Sequence, residues 1–210
     1  INILNIGGIS NITTTVDEKD LWSKKKIFAY DIGPGNCMID EWIRKNSKKK
    51  YDKEGLLARS GKTDKLILNQ ALENFSNNSN YNKSLDIKDF DIFFAKGLSL
   101  ENGASTITDF TAKLISDGMN HIHAFDDKID NKWLVCGGGR KNKYLLENIK
   151  NNFVELSLDP IEKYQIDGDF IESQAFAFLA IRSFEGMPIS FPSTTRCKKA
   201  STGGVLVENF

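Results

Sequence analysis

The chain has 210 residues, 40% of them hydrophobic, which suits one folded domain or one domain with part of another. Its 28 Lys and Arg residues are balanced by 28 Asp and Glu residues, so no overall positive charge attracts nucleic acid or an anionic membrane. No apolar run is long enough to span a membrane, and the 3 widely spaced cysteines without a CxxC pair favour a reducing, cytoplasmic compartment.

The chain opens on the stretch "INILNIGG", which lacks Met and already lies inside an apolar, strand-like run. A natural chain rarely begins in the middle of a strand. We therefore expect this sequence to be a fragment of a longer protein with an upstream portion.

Three strands are predicted at the start of the chain, over residues 1–6, 9–16 and 26–30. Short connections between them predict antiparallel pairing. Pro34 then fits the first turn of a helix, where its missing N–H costs nothing, and apolar residues recur with helical spacing from Ile39 onward.

Helices and strands alternate in the rest of the chain. An Asn- and Ser-rich stretch over residues 73–84 indicates a surface loop. The predicted elements are helices over residues 64–75, 100–119 and 144–153 and strands over residues 133–136 and 154–158. Because strands separated by helices join a sheet in parallel, this order predicts an α/β fold with one mixed sheet flanked by helices.

A last helix is predicted over residues 169–185, "DFIESQAFAFLAIRSFE". Its apolar residues occupy nearly every side rather than one stripe. Such a helix is typical of a buried position, so we expect it to be deeply buried, between two lobes.

Glycine-rich breaks follow three of the predicted strands: Gly7-Gly8, Gly33-Pro34-Gly35 and Gly137-Gly138-Gly139. Glycine lets backbone amides approach phosphate oxygens, and a helix that starts after such a turn adds partial positive charge. Tight turns explain most single Gly pairs, but three of them at strand ends in one sheet favour a nucleotide site. Neither a P-loop nor a GxGxxG dinucleotide motif is present.

Asp31, in the stretch "AYDIGPGN", follows the third predicted strand and allows two interpretations. It caps a turn or the helix that begins near Pro34, or it takes part in chemistry. Gly33 is nearer the cap position, which leaves Asp31 free for another task. From the residues alone both interpretations stay open.

Asp169 and Glu172 stand at the spacing of a capping box, which favours a structural role for both over contacts with substrate hydroxyls. His121 and His123 alternate as metal ligands on a strand do, but no further Cys or His completes a set. We interpret both histidines as solvent-facing residues and predict no metal ligands.

Five segments in order resemble the anhydro-N-acetylmuramic acid kinase family: "NIGGISNIT", "DIGPGNCMIDEW", "YDKEGLLARSGK", "CGGGRKN" and "DFIESQAFAFLAIR". This family belongs to the sugar kinase, actin and heat-shock chaperone ATPase superfamily, whose fold has two ribonuclease-H-like lobes with ATP between them. The resemblance implies that residues 1–182 form the second such lobe, with a mixed five-stranded sheet. Residues 183–210 would then return towards the first lobe.

The resemblance further implies a bacterial enzyme of cell-wall recycling that uses ATP and Mg²⁺. It opens 1,6-anhydro-N-acetylmuramic acid with water and phosphorylates the freed 6-oxygen, giving N-acetylmuramic acid 6-phosphate. The roles carried over by motif are a general base at Asp31, a phosphate loop of Gly7, Gly8 and Asn11, nucleoside contacts at Gly137, Gly138 and Gly139, and sugar contacts at Glu172, Gly33 and Asn36.

Two departures from the family pattern leave open an alternative to the kinase function. The superfamily's first phosphate loop is absent from this sequence, and the ending "PSTTRCKKASTGG" matches the family only loosely, so no site residue is assigned there. The alternative is an inactive stand-alone lobe that binds sugar or nucleotide without turnover. A phosphatase of the same superfamily is disfavoured by the resemblance. The expected partners are ATP and a small sugar, without nucleic acid or membrane, and a homodimer is left open.

Overall fold

A single mixed sheet forms the centre of the chain in the computed structural model, which describes residues 1–15, 27–76, 84–123, 131–153 and 156–207. Its strands are β1 (Asn2–Ile6), β2 (Ile9–Thr15), β3 (Ile27–Pro34), β4 (Lys132–Cys136) and β5 (Ser157–Pro160). They lie in the order β3-β2-β1-β4-β5, in which β1, β2 and β3 pair antiparallel and β1, β4 and β5 pair parallel. The predicted ribonuclease-H-like α/β fold is confirmed.

Helices cover the sheet and extend from it. They are α1 (Cys37–Asn46), α2 (Leu56–Ser60), α3 (Lys65–Ser76), α4 (Leu100–His123), α5 (Lys143–Asn151), α6 (Ile171–Phe184) and α7 (Pro192–Thr195). The 24-residue helix α4 is central, since it packs against α1, α2, α3, α5 and β3. No helix in the described ranges combines the length and the apolar character that crossing a membrane requires.

The hydrophobic core lies between the sheet and α4. Alternate residues of β1 and β2 are buried, as expected for strands with one face on a core. The fully buried aliphatic side chains of this core include Leu4, Ile6, Ile12, Ile32, Ile107 and Ile115. Their removal from water is the main stabilising contribution to the fold.

The start of α1 differs from the prediction. Pro34 is the last residue of β3, and Asn36 occupies the N-cap position before Cys37. Pro34 is tolerated here because it is the last residue of a strand at the edge of the sheet, and its carbonyl accepts a hydrogen bond from the Ser10 hydroxyl at 3.1 Å.

Two other predicted boundaries shift. The loop predicted over 73–84 is helical as far as Ser76, where α3 ends, and the rest of that stretch up to residue 83 lies outside the described residues. The last strand lies at Ser157–Pro160 rather than at 154–158, and residues 154 and 155 are outside the described ranges.

Helix α6 corrects the prediction of deep burial. None of its residues is buried, and Phe176 and Phe184 are 71% and 74% exposed. A helix that is apolar all round can be buried only where other surfaces surround it, and the described part of this chain supplies none that does so. Its apolar composition therefore indicates packing against another surface, which the described residues do not identify.

The close approach of α1 to α4 gives a test of the fold. A Cβ atom added at Gly103 of α4 would lie 2.1 Å from Cζ2 of Trp42 in α1. We predict that Gly103→Ala lowers the free energy of unfolding by about 1–3 kcal/mol, because overpacking outweighs the better helix propensity of alanine.

Urea unfolding of the intact protein measures this effect. Asn120→Ala, at an exposed position of the same helix, should not lower the free energy of unfolding, because alanine has the better helix propensity. If the clash is the cause, Gly103→Ala combined with Trp42→Leu should cost less than the sum of the two single changes. Strict additivity would contradict this account.

Candidate active site

A β-bulge in β3 places Asp31. The register pairs Ser10 with Gly33 but Asn11 with Asp31, so Ile32 is the extra residue of β3. Ile32 is 1% exposed in the core, whereas Asp31 is half-buried. Bulges of this kind are common beside active sites, where they redirect a side chain out of the regular ladder.

The side chain of Asp31 is held by a residue distant in sequence. Its Oδ2 accepts a hydrogen bond from the backbone amide of Leu85 at 2.9 Å. Among the described residues, none donates a hydrogen bond to the other oxygen, Oδ1. Because α1 begins only after Asn36, Asp31 does not cap it, and the interpretation of Asp31 as the cap of that helix is wrong.

A polar cleft of about 250 Å³ opens at Asp31. Side chains from β2 and β3 form one wall, and residues 194–196 near the end of the chain form another. The lining that bears on its chemistry is Asn11, Thr13, Tyr30, Asp31, Ser84 and Arg196. We name this space the Asp31 cleft. Its size and its few convergent polar groups suit a small polar ligand.

The Gly7-Gly8 turn is fastened to the beginning of α1. The amides of Gly35 and Asn36 donate to the carbonyls of Gly8 and Gly7, both at 2.8 Å, and Cys37 N donates to Gly8 O at 3.2 Å. Asn36 Nδ2 adds a bond to Gly7 O at 3.2 Å. The amides of Asn36 and Cys37 at the start of α1 are therefore engaged by these carbonyls rather than open to phosphate.

Packing explains some of the glycines in these turns. A Cβ atom at Gly35 would lie 2.3 Å from Gly7 O, and one at Gly139 would lie 2.2 Å from Cγ2 of Ile6. Gly137 has φ +76°, and its Cβ would lie 2.4 Å from Oδ1 of Asn5. The fold therefore requires glycine at these positions whether or not a ligand binds.

Gly8 and Gly138 are different because both are exposed and both have room for a side chain. The nearest atom to an added Cβ would be 3.9 Å away at Gly8 and 3.7 Å away at Gly138. Internal packing does not account for glycine there. A ligand that approaches the backbone closely would account for it.

Gly138 borders a second cleft, of about 300 Å³, whose wall also includes Asn36, Asp40, Tyr51, Asp52 and Asn142. We name it the Gly138 cleft. Asp52 lies three residues before Gly55, the N-cap of α2, and its carboxylate accepts from the amides of Leu57 and Ala58 in the first turn, both at 2.9 Å. Burial raises the pKa of the Asp40 carboxyl; nearby Arg44 opposes the rise and Asp52 adds to it.

The Gly7-Gly8 turn lies between the two clefts. Gly8 adjoins Ile87, two residues after Leu85, which binds Asp31. On its other side, Asn36 binds Gly7 and stands next to Gly138. A ligand that extended from the Gly138 cleft to the Asp31 cleft would therefore cross this turn.

Arg140 ties the glycine-rich turn after β4 to the start of α6. Its side chain is only 6% exposed and donates to Glu162 at 2.7 Å, Asp169 at 2.9 Å and Gly137 O at 3.0 Å. Asp169 thus pairs with Arg140 and Lys141 instead of capping α6, whose N-cap position is Phe170. The capping-box prediction is wrong, because the hydrogen bonds from Lys141 and Arg140 engage this carboxylate and lower its pKa.

Of the remaining predicted positions, Glu172 and Gly33 lie outside the lining of both clefts, whereas Asn11 borders one of them. Glu172 is exposed in the first turn of α6, and its charge adds to the burial that raises the pKa of the Cys136 thiol at the end of β4. Gly33 is buried, and a Cβ atom added there would lie 3.1 Å from Cβ of Leu114. Asn11 borders the Asp31 cleft rather than the Gly138 cleft. The roles of these residues stay predictions.

His121 lies in α4 with its ring edge-on to Tyr30, at 6.1 Å between ring centres. Within the described ranges, no group of three or more His, Cys, Asp and Glu residues could hold a metal ion. The structure also brings forward residues that sequence reasoning missed: Asp40, Tyr51, Asp52 and Arg196. Tyr51 and Asp52 lie in the segment "YDKEG", which is part of the family resemblance. Nothing in the sequence indicated that Arg196 lies in the same cleft as Asp31.

The chain is similar in sequence to one family of known proteins. The sequence profile of the family described as anhydro-N-acetylmuramic acid kinase matches residues 1–209. A protein of that name from Pelagibacter ubique is 49% identical over 99% of this chain and 55% of its own length. Namesakes from Rhodospirillum rubrum and Rhizorhabdus wittichii are 38% and 36% identical, over 96% and 98% of this chain and 51% and 53% of their own lengths.

The match runs through the elements that form both clefts, from β1 to the segment that follows α7. The chain spans about half the length of the curated relatives it matches. Because the family profile covers nearly the whole sequence, the chain belongs to the anhydro-N-acetylmuramic acid kinase family.

Proposed function

We propose that the protein carrying this chain is an ATP-dependent kinase of the cytoplasm that acts on 1,6-anhydro-N-acetylmuramic acid in peptidoglycan recycling. It opens the anhydro bridge with water and phosphorylates the 6-oxygen, giving N-acetylmuramic acid 6-phosphate. The observation that carries the proposal is the half-buried Asp31 carboxylate, held through one oxygen at the wall of a polar cleft. Membership of the kinase family supports it.

Asp31 is suited to act as the general base. The Leu85 amide fixes the orientation of the carboxylate through Oδ2 and leaves Oδ1 to accept a proton. In the proposed step the oxygen of water bonds to the anomeric carbon, the bond from that carbon to the 6-oxygen breaks, and the proton of water passes to Asp31. The 6-oxygen takes the phosphoryl group, which ATP supplies when bound.

The Gly138 cleft suits the nucleoside part of ATP better than its phosphates. Tyr51 is 57% exposed and offers a ring face, and Asn142 offers amide groups. Asp40, Asp52 and Glu54 in the same wall would repel phosphate, and they outnumber its cation Lys141, which is paired with Asp169. We therefore place the nucleoside in this cleft and the phosphates towards Gly7-Gly8, and we assign no Mg²⁺ ligand among the described residues.

We also propose that α6 packs against the portion of the intact protein that corresponds to the rest of its relatives' length. The support is its apolar, exposed surface and the share of the relatives that this chain spans. This does not suit the alternative of a stand-alone lobe without turnover, because the apolar surface of α6 would then remain exposed to water.

Asp31→Asn tests the base. Asparagine keeps the shape and can still accept the Leu85 amide, but it cannot take a proton at neutral pH. We expect kcat for ADP release with the anhydro sugar to fall about 10²- to 10⁴-fold, with the melting temperature unchanged.

Asp91→Asn serves as the matched control for that experiment. Asp91 is an exposed acid outside both clefts that likewise accepts a backbone amide, that of Phe93 at 2.8 Å. It should retain wild-type turnover. Full turnover by Asp31→Asn would exclude Asp31 as the base.

Gly138→Ala tests the nucleotide site separately from the fold. Because the added methyl group has room inside the protein, we expect normal stability. We expect KM for ATP to rise about 10-fold, the size of effect that losing one close hydrogen bond produces, while KM for the sugar is unchanged.

Gly139→Ala is the contrasting variant, since its Cβ would meet Ile6 and should lower the melting temperature. Steady-state kinetics and thermal unfolding on both variants separate the two effects. An unchanged KM for ATP in Gly138→Ala would place the nucleotide elsewhere.

A further inference from the structure

We propose that Arg196 determines substrate specificity by binding the carboxylate of the sugar's lactyl group in the Asp31 cleft. This inference rests on the proposed function. It assigns a role to the C-terminal segment, for which sequence reasoning found none.

The segment that contains Arg196 packs against β3, the strand that contains Asp31. Helix α7 packs on β3, and residues 194–196 reach the wall of the Asp31 cleft. Ser190 and Ser201 form an antiparallel bridge that closes the loop around this segment. The amides of Thr194 and Thr195 both donate to Phe191 O, at 3.1 and 2.9 Å, and tighten the turn.

Arg196 follows that turn in an unusual backbone conformation. Its φ is +57°, the left-handed region that residues other than glycine seldom occupy. Such a conformation persists where the surrounding structure imposes it, and it is concentrated at ligand sites. Here it directs the chain so that Arg196, an exposed residue, joins the cleft wall.

The charges of the cleft explain why a cation is needed. Of the described residues in its wall, Asp31 is the one acidic residue and Arg196 the one basic residue; the others have uncharged side chains. A substrate carboxylate entering this cleft would be repelled by the carboxylate of Asp31. A guanidinium group offsets that repulsion and matches a carboxylate with two parallel hydrogen bonds.

The proposed substrate has such a carboxylate. N-acetylmuramic acid differs from N-acetylglucosamine by a lactyl ether that ends in a carboxylate, at a distance from the reacting anomeric carbon. A cleft with the base at one wall and a guanidinium at another can bind both ends of this molecule. Arg196 would thus distinguish 1,6-anhydro-N-acetylmuramic acid from 1,6-anhydro-N-acetylglucosamine, which is otherwise the same sugar.

The test compares these two sugars with the intact enzyme and its Arg196→Gln variant. For anhydro-N-acetylmuramic acid we expect kcat/KM to fall about 10- to 100-fold, mainly through KM, as losing a charged hydrogen-bond pair predicts. For anhydro-N-acetylglucosamine we expect no change. Arg196→Lys should restore part of the preference, because it keeps the charge without the planar pair of donors.

Lys198→Gln is the matched control. It removes an exposed positive charge two residues further on, outside the wall of the cleft, and should leave both substrates unaffected. An equal loss on both sugars in Arg196→Gln would overturn the proposal, since Arg196 would then act on Asp31 or on the fold. No loss on either sugar would overturn it as well.

Calorimetry without ATP separates this proposal from the kinase function. If the wild-type protein phosphorylates neither sugar, the proposed function fails, yet the binding comparison still decides the role of Arg196. Weaker binding of anhydro-N-acetylmuramic acid to Arg196→Gln than to the wild type would support it. Equal binding to the two proteins, or binding to neither, would overturn it.

Discussion

The irregular pairing of β2 with β3 is the constraint on which the candidate site depends. One extra residue in β3 sends Ile32 into the core and leaves Asp31 half-buried beside a cleft. The core holds this arrangement closely, since a Cβ atom at Gly118 of α4 would lie 2.4 Å from Cβ of Ile32. The position of the carboxylate is therefore coupled to the packing of α4, the central helix of the lobe.

The glycines of the three turns divide into two groups for physical reasons. Gly35, Gly137 and Gly139 are explained by close internal contacts, while Gly8 and Gly138 are exposed with space around them. In the sequence, all of these glycines counted equally as evidence for a nucleotide site. Close internal contacts account for part of that evidence, and Gly8 and Gly138 are the exposed positions for which it remains.

The sequence predicted the order and type of most elements, because strand alternation and helical periodicity are local properties of the chain. It failed where distant groups compete for the same atoms. Asp169 had the spacing of a cap, but Arg140 and Lys141 bind its carboxylate. Pro34 had the position of a helix start, but β3 continues through it. The apolar composition of α6 predicted deep burial, but none of its residues is buried within the described part of this chain.

The sequence by itself determined the fold class and the family, since these rest on residue order and composition, and for Asp31 it predicted a role without showing one. Only the tertiary structure decided what Asp31 touches, because its hydrogen-bond partner Leu85 lies 54 positions away. The same holds for the cleft that it shares with Arg196. Neighbours of this kind are set by how strands pair and helices pack, and no local pattern records them.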